Sequence, residues 1–325
     1  MQPPRQLFTK KNNAPPSLFG KLPNQRTISE LLTYSIINLD KPAGPTSHQV
    51  SDMVKKLMNV PKAGHSGTLD PQVTGVQPIA IGRATRIVEF LLTAPKEYVG
   101  IMHLHHEVQE SVLREAVASF TGKISQLPPI KSAIKRELRT REIYEFEMLE
   151  MKNQDVLFRV KCQAGTYIRK LCHDLGKTLT VGAHMVQLRR TKAGPFTEND
   201  HLVTLNDLQD ALYFYQNENN DKFLRHCLQP IENALTYIPK CYVHDSAITS
   251  LTHGRVLSIP GITKLENFRK GEDVAILTGN QELIAIGTAL LSAVEINTKE
   301  KGNALKIKKV FLEPIVTEKS ILPPK

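Results

Sequence analysis

The sequence predicts two folded domains, an α+β domain followed by a small β-barrel. Two observations carry this. Within the first 235 residues, apolar positions follow both helical and strand periods. Val50, Met53, Val54 and Leu57 fall at i, i+3, i+4 and i+7, whereas Val156, Phe158, Val160 and Cys162 alternate with Arg159 and Lys161. From about Thr236 the texture changes to short strands between Gly-containing turns, over about 80 residues. A chain of 325 residues, 41% hydrophobic, has material for two cores. The boundaries expected are 1–33, 34–235 and 236–325.

Residues 1–33 carry Arg5, Lys10, Lys11, Lys21 and Arg26 against one acid, Glu30, and read as an extended basic arm. Tyr34–Leu39 is a short strand ending in the turn Asp40-Lys41-Pro42-Ala43-Gly44-Pro45. Thr46 N-caps the helix that carries Val50 and Val54. Val88, Leu91 and Leu92 predict a second short helix, Glu97–Leu104 a strand, and Ser111–Phe120 an amphipathic helix. Lys123–Arg141 reads as a Pro-anchored basic loop; Lys131, Lys135, Arg136, Arg139 and Arg141 either clamp a phosphate backbone or form a solvated charged loop. Ile143–Met151 and Asp155–Gln163 form a hairpin around Asn153 with one buried face. Ala164-Gly165-Thr166 opens a helix with the stripe Ile168, Leu171, Cys172 and Leu175, stopped near Gly176. Arg169 sits in its first turn, against the helix dipole, so an acidic partner is expected nearby.

The net charge of +10 implies an anionic partner, nucleic acid before membrane. No apolar run approaches the roughly 20 residues of a membrane span, and the N-terminus has no signal-peptide pattern. The four cysteines form no C-x-x-C pair and read as buried thiols in a reducing compartment. His103, His105 and His106 cluster at a strand end without partner cysteines, so no metal site is expected. No phosphate-binding or dinucleotide glycine motif and no nucleophile elbow is present.

One loop stands out. Gly64–Gly75 packs three glycines, one proline and a single carboxylate, Asp70, into twelve residues. Such a segment is expected to be neither helix nor strand but a shaped loop presenting one acid. By itself it also reads as a tight turn with a solvated aspartate.

Five segments in order and spacing resemble the TruB/dyskerin family of RNA pseudouridine synthases. They are Leu39-Asp40-Lys41-Pro42, Gly64–Gly75, Lys96-Glu97-Tyr98, Ala164-Gly165-Thr166-Tyr167-Ile168-Arg169 and Gln187-Leu188-Arg189-Arg190-Thr191. His65–Gly75 and Leu127–Tyr144 are most similar to the archaeal dyskerin-type catalytic subunit of box H/ACA ribonucleoproteins. The C-terminal part, with His253-Gly254 and Pro260-Gly261, resembles a PUA RNA-binding pseudobarrel. One departure is Gln77, where the family more often has an apolar residue, which puts local packing in question.

The resemblance implies an α/β (α+β) catalytic domain with a mixed, largely antiparallel sheet. It implies isomerisation of uridine to pseudouridine in rRNA or tRNA, without a cofactor. Asp70 becomes the nucleophile, acting at C1′, at C6 or through a glycal. Arg169 holds Asp70 ionised, or else contacts phosphate. Tyr98 stacks on the base and helps move the C5 proton, or is a core tyrosine. Ile168 and Leu188 wall the pocket; His65 shapes the loop; Lys41 braces the floor or contacts phosphate. His253 and Gly254 join the RNA-binding residues, and the basic arm 1–33 is expected to pack along the PUA domain. Implied partners are guide and substrate RNA, a kink-turn-binding protein and two small accessory subunits, with no membrane. The location implied is cytoplasmic, or nucleolar in a eukaryote. The alternatives are a stand-alone tRNA T-loop enzyme and a non-catalytic RNA-binding scaffold.

Overall fold

The computed structural model describes residues 5–10, 17–127 and 137–313. The chain forms two compact units, Ser35–Gln229 and a second built from Met1–Tyr34 with Pro230–Lys325. The arm therefore belongs to the C-terminal unit and is not a separate extension.

In the first unit a mixed sheet runs in the order Tyr34–Lys41, Thr74–Gly82, Ala183–Ala193, Lys96–Leu104, Asp155–Cys162, Arg139–Lys152, Gly122–Gln126. Thr74–Gly82 and Ala183–Ala193 pair in parallel, and the four pairings from Ala183–Ala193 to Gly122–Gln126 are antiparallel. The predicted hairpin forms about Asn153, whose φ of 54° suits a short polar residue. Val156, Phe158, Val160 and Cys162 are buried, with Arg159 and Lys161 paired to Glu147 and Glu145 on the other face. Lys123–Arg141 is not a single loop. Gly122–Gln126 and Arg139–Lys152 are antiparallel partners, with Gln126 opposite Arg139.

The helix Ser47–Leu57 starts in a capping box between Thr46 and Gln49. Its stripe is narrower than its spacing predicts: Val50 and Val54 are buried but Met53 is exposed. The helix Ile168–Thr178 buries Ile168, Leu171, Cys172 and Leu175 as expected, but Gly176 does not stop it. A Cβ on Gly176 would meet the Ala183 backbone nitrogen at 2.2 Å, so glycine is there for close approach to the next strand. The helix Leu205–Asn217, capped by Thr204 and Asp207, was not anticipated.

In the second unit the strand order is Leu7–Thr9, Ile262–Glu266, Lys240–Val243, Asp273–Leu277, Leu283–Ala289, Asn303–Val310, Leu257–Ser258. The barrel core includes Cys241, Ile248, Ile262, Leu265, Ile276, Ile284 and Leu305. The arm supplies the edge strand, with Phe8 opposite Leu265 and packed on that core. Lys10 Nζ donates to the carbonyls of Ile296, Asn297 and Lys299 at 2.6–3.1 Å, satisfying the end of the helix Ala293–Thr298. The helix Ile28–Thr33 opens with a Thr27–Glu30 capping box, a signal present in the sequence and overlooked. Arg26, 3% exposed, forks onto Glu232 at 2.7 and 2.8 Å and reaches Glu282 at 3.2 Å. All four cysteines are buried free thiols, and no described helix is long and apolar enough to cross a membrane.

Candidate active site

The strands Ala63–His65 and Thr74–Gly82 pair antiparallel, so Gly64, His65, Thr74 and Gly75 are strand residues and only 66–73 form the loop. The expectation of an irregular segment is corrected at both ends. Gly75 has φ 102°, and a Cβ there would lie 2.3 Å from the Arg190 carbonyl, so only glycine admits the neighbouring strand. Leu69 and Val73 are buried in the apolar cluster of the unit and anchor the loop on both sides of Asp70. Asp70 itself is left 52% exposed at the tip.

Three buried polar groups hold this loop by its backbone. Lys41, fully buried, donates Nζ to the carbonyls of Pro42, Pro71 and Val73 at 2.8–3.0 Å. Burial lowers its pKa, as does Arg190, and Asp70 pulls it back up. The reading of Lys41 as a brace agrees with this geometry; a fully buried ammonium makes no phosphate contact. Ser47 Oγ accepts the Leu69 N–H at 2.8 Å and donates to Gln77 Oε1 at 2.8 Å, while Gln77 Nε2 donates to the Ser47 carbonyl. The polar Gln77 thus causes no packing defect, because both ends of its amide are paired. Arg190, 1% exposed, donates Nε to the Val76 carbonyl at 2.6 Å and both terminal nitrogens to the Gly67 carbonyl at 3.2 Å.

Tyr98 lies on the buried face of the central strand Lys96–Leu104, opposite Arg190 on the neighbouring strand. Burial raises its phenol pKa and the guanidinium of Arg190, on the paired strand, opposes this. Leu69, Val73, Tyr98 and Ile168 share one apolar cluster, with the half-buried Leu188 packed against it.

Arg169 projects from the first turn of its helix and ion-pairs with Asp70. The acidic partner expected from its place at a helix N-terminus is therefore Asp70. Gln126 fixes the preceding turn, accepting the Tyr167 N–H at 3.0 Å and donating to the Tyr167 carbonyl at 3.1 Å. The arrangement is one exposed carboxylate, oriented by an arginine, beside a tyrosine in an apolar wall. It suits attack on an extruded planar base.

Family models match along the chain: TruB family pseudouridylate synthase (N terminal domain) at residues 55–168, tRNA pseudouridylate synthase B C-terminal domain at 169–236, a PUA domain at 239–311 and a DKCLD (NUC011) domain at 1–51. A "Probable tRNA pseudouridine synthase B" of Methanothermobacter thermautotrophicus is 49% identical over 297 residues, 91% of both chains. The chain belongs to the TruB family of pseudouridine synthases. A relative of the same description from Pyrococcus furiosus is 47% identical over 310 residues, 95% of this chain and 91% of that one. In a Cbf5-Nop10-Gar1 complex, the matching chain has TM-score 0.92 and 46% identity, with 96% of each chain covered. In an H/ACA RNP bound to a substrate RNA containing 2′-deoxyuridine, the values are 0.91, 44% and 96% of each chain.

His65 of this TruB-family synthase lies between two hydroxyls, Nδ1 at 3.1 Å from Ser51 Oγ and Nε2 at 3.4 Å from Thr68 Oγ1, two residues before Asp70. Burial first, then His48 and Arg190, push its pKa down to about 4. The folded protein therefore holds His65 neutral at pH 7. As pH falls from about 6.5, the unfolded chain takes up this proton first. Stability is expected to fall between about pH 6.5 and 4, and His65→Gln to flatten that dependence by up to about one proton. Urea titrations across this range check it; equal slopes in both proteins would exclude the assignment.

The remaining candidates are placed less closely. Lys131, Lys135 and Arg136 lie outside the described residues. Arg139 and Arg141 stand at the start of a strand, not in a loop; Arg141 packs over Gly165, 3.2 Å from where a Cβ would sit. In the second unit, His253 and Gly254 follow the helix Asp245–Thr252, exposed, with His253 Nδ1 2.7 Å from the Thr249 carbonyl oxygen. His103 pairs with Asp155 at 2.7 Å and His105 with His184 at 2.9 Å; among the described residues no group of three or more metal-ligating side chains converges.

Sequence reasoning quoted Lys96 and Arg190 only as parts of motifs. Lys96 is buried and gives its ammonium to the carbonyls of Leu91, Leu92 and Ala94. Three carbonyl acceptors suit a charged amine, while burial pulls its pKa down to about 7. The missed signal was register: Arg190 shares a strand face with Leu188, two residues away, and a cation in line with apolar side chains is rarely placed for solubility.

Proposed function

We propose that this pseudouridine synthase is the catalytic subunit of a guide-RNA-directed, box H/ACA-type particle that isomerises uridine in rRNA. The observation that carries the reading is a full-length likeness to the Cbf5 chain, together with an exposed Asp70–Arg169 pair beside Tyr98. In the reaction the N1–C1′ bond of an extruded uridine breaks, the base turns, a C5–C1′ bond forms, C5 loses its proton and N1 gains one. The atoms balance without an oxidant, a reductant or water.

Asp70 supplies the carboxylate that opens the sequence, by adding to C1′ or C6 or by drawing the 2′ proton in a glycal route. Arg169 keeps that carboxylate charged and aimed as RNA closes over it and removes water. Tyr98 offers a ring for the base to stack on and a phenol near the C5 proton. Ile168, Leu188, Leu69 and Val73 form the apolar wall. The PUA unit and the arginines of the Gly122–Gln126 and Arg139–Lys152 hairpin hold RNA by shape and backbone, while a guide selects the target by base pairing. Partners comprise a kink-turn-binding protein and two small subunits, and the assembly works in the cytoplasm.

Arg169→Ala is expected to lower the single-turnover rate about 10- to 100-fold, on the order of 1.4–2.7 kcal/mol, with little change in substrate affinity. An unchanged single-turnover rate contradicts the role. The description of the relatives, which names tRNA, favours a second reading, action on tRNA, for which a stand-alone enzyme would need no guide. A tritium-release assay on a guided rRNA fragment, with and without guide and accessory proteins, and on a bare tRNA transcript separates the two. Equal turnover on bare tRNA would overturn the guide requirement.

A further inference from the structure

Arg190 lies in the core at 1% exposure, and among its described partners there is no carboxylate. Taking an arginine out of water without a counter-charge is costly, and an apolar residue of similar volume serves packing alone at least as well. What the guanidinium does instead is specific. One nitrogen reaches the carbonyl of Val76, after the Asp70 loop, and two reach that of Gly67, at its start. The fork therefore spans the two ends of the loop that presents Asp70. Arg190 stands directly opposite Tyr98 on the paired strand, so the two side chains share one face of the sheet.

Gly67 gives the turn at this contact a left-handed backbone that glycine adopts without strain. Its φ is 126°, and a Cβ there would lie 3.7 Å from both Arg190 Nη1 and Lys96 Cε, so the turn is packed between two buried cations. Arg189, one residue earlier, faces the other way and spends its fork on Asp40 and Glu198. The two adjacent arginines therefore have separate tasks, and of the two it is Arg190 that both pairs across the strands with Tyr98 and bonds the loop backbone.

We propose that Arg190 is a positioning residue that ties Tyr98 to both ends of the Asp70 loop, keeping the two groups in register through the reaction. This rests on the pseudouridine synthase reading above. Lysine at 190 keeps the charge but has one nitrogen in place of a planar fork, so it does not bond Val76 and Gly67 together while standing beside Tyr98.

The test compares wild type, Arg190→Lys, Tyr98→Phe and the double variant in the reconstituted particle. Single-turnover rate, substrate and guide affinity, and melting temperature are measured for each. Arg190→Lys is expected to lose about tenfold or more in single-turnover rate, with affinities within about twofold, and to lose markedly less when Tyr98 is already phenylalanine. A purely structural role predicts a lower melting temperature with the rate per folded enzyme intact, and that result overturns the proposal. So do effects that simply multiply in the double variant. If Arg190→Lys does not fold, side-chain NMR of Arg190 decides: Tyr98→Phe must shift its Nε–H resonance, and an unmoved signal overturns the link. Wild type inactive on a guided substrate refutes the underlying reading; wild type active with an unaffected Arg190→Lys refutes only this inference.

Discussion

Asp70→Asn is expected to abolish pseudouridine formation, by on the order of 10⁴-fold or more, the scale of loss when a reacting group is removed. Guide RNA binding should change by less than about twofold. The two expectations differ because of how the loop is built. Lys41 grips the Pro71 and Val73 carbonyls just after Asp70, Arg190 grips Gly67 and Val76, and Ser47 holds the Leu69 amide. None of these contacts uses the Asp70 side chain. Asparagine keeps the size and still accepts a hydrogen bond from Arg169, but it is neither a nucleophile nor a base. Single-turnover assays and filter binding on the same preparation measure both quantities. Appreciable turnover in the variant sinks the assignment; lost guide binding shows that the loop was disturbed.

Arg26→Ala is expected to destabilise the C-terminal unit by about 3–5 kcal/mol, as breaking a buried ion pair leaves unpaired charge behind. Arg26 forks onto Glu232, reaches Glu282, and lies 5.3 Å from the centre of the Tyr34 ring. Its own pKa is held above the ordinary value by these carboxylates, against the effect of burial. Removing it sets Glu232 and Glu282 side by side, one of them still accepting the Leu283 N–H at 3.0 Å. The melting transition of this unit should drop by about 10 °C or more, read by calorimetry on the full chain. A shift under about 2 °C would show that water replaces the guanidinium at little cost. The same variant should weaken RNA binding as the unit melts, whereas Asp70→Asn should not.

Much of the fold was legible from short-range pattern. The 143–163 hairpin, the Thr46 cap and the apolar stripe of the Arg169 helix follow from periodicity and capping, because backbone geometry fixes which side chains share a face. The arm packs on the C-terminal unit as the resemblance implies, but its strand was not legible because three residues, Leu7–Thr9, have no periodicity to detect. It is a strand only because Ile262–Glu266, more than 250 residues away, offers an unpaired edge. Gly176 was misread as a stop because a glycine near a helix end looks the same whether it ends the helix or admits a neighbouring backbone.

The active site divides the same way. The sequence alone singled out the candidate acid, its loop and its membership in a set of five motifs, because the proposed chemistry requires those residue types and glycine-rich turns are local. Tertiary structure decided which residues hold that acid. Arg169 reaches Asp70 across 99 positions and Arg190 reaches Gly67 across 123. Lysines and arginines look solvated in a sequence. Lys96 takes its carbonyls from the turn just before it, but the burial of Lys41 and Arg190 depends on carbonyls brought to them from 30 or more positions away, and no local pattern records where those carbonyls will be.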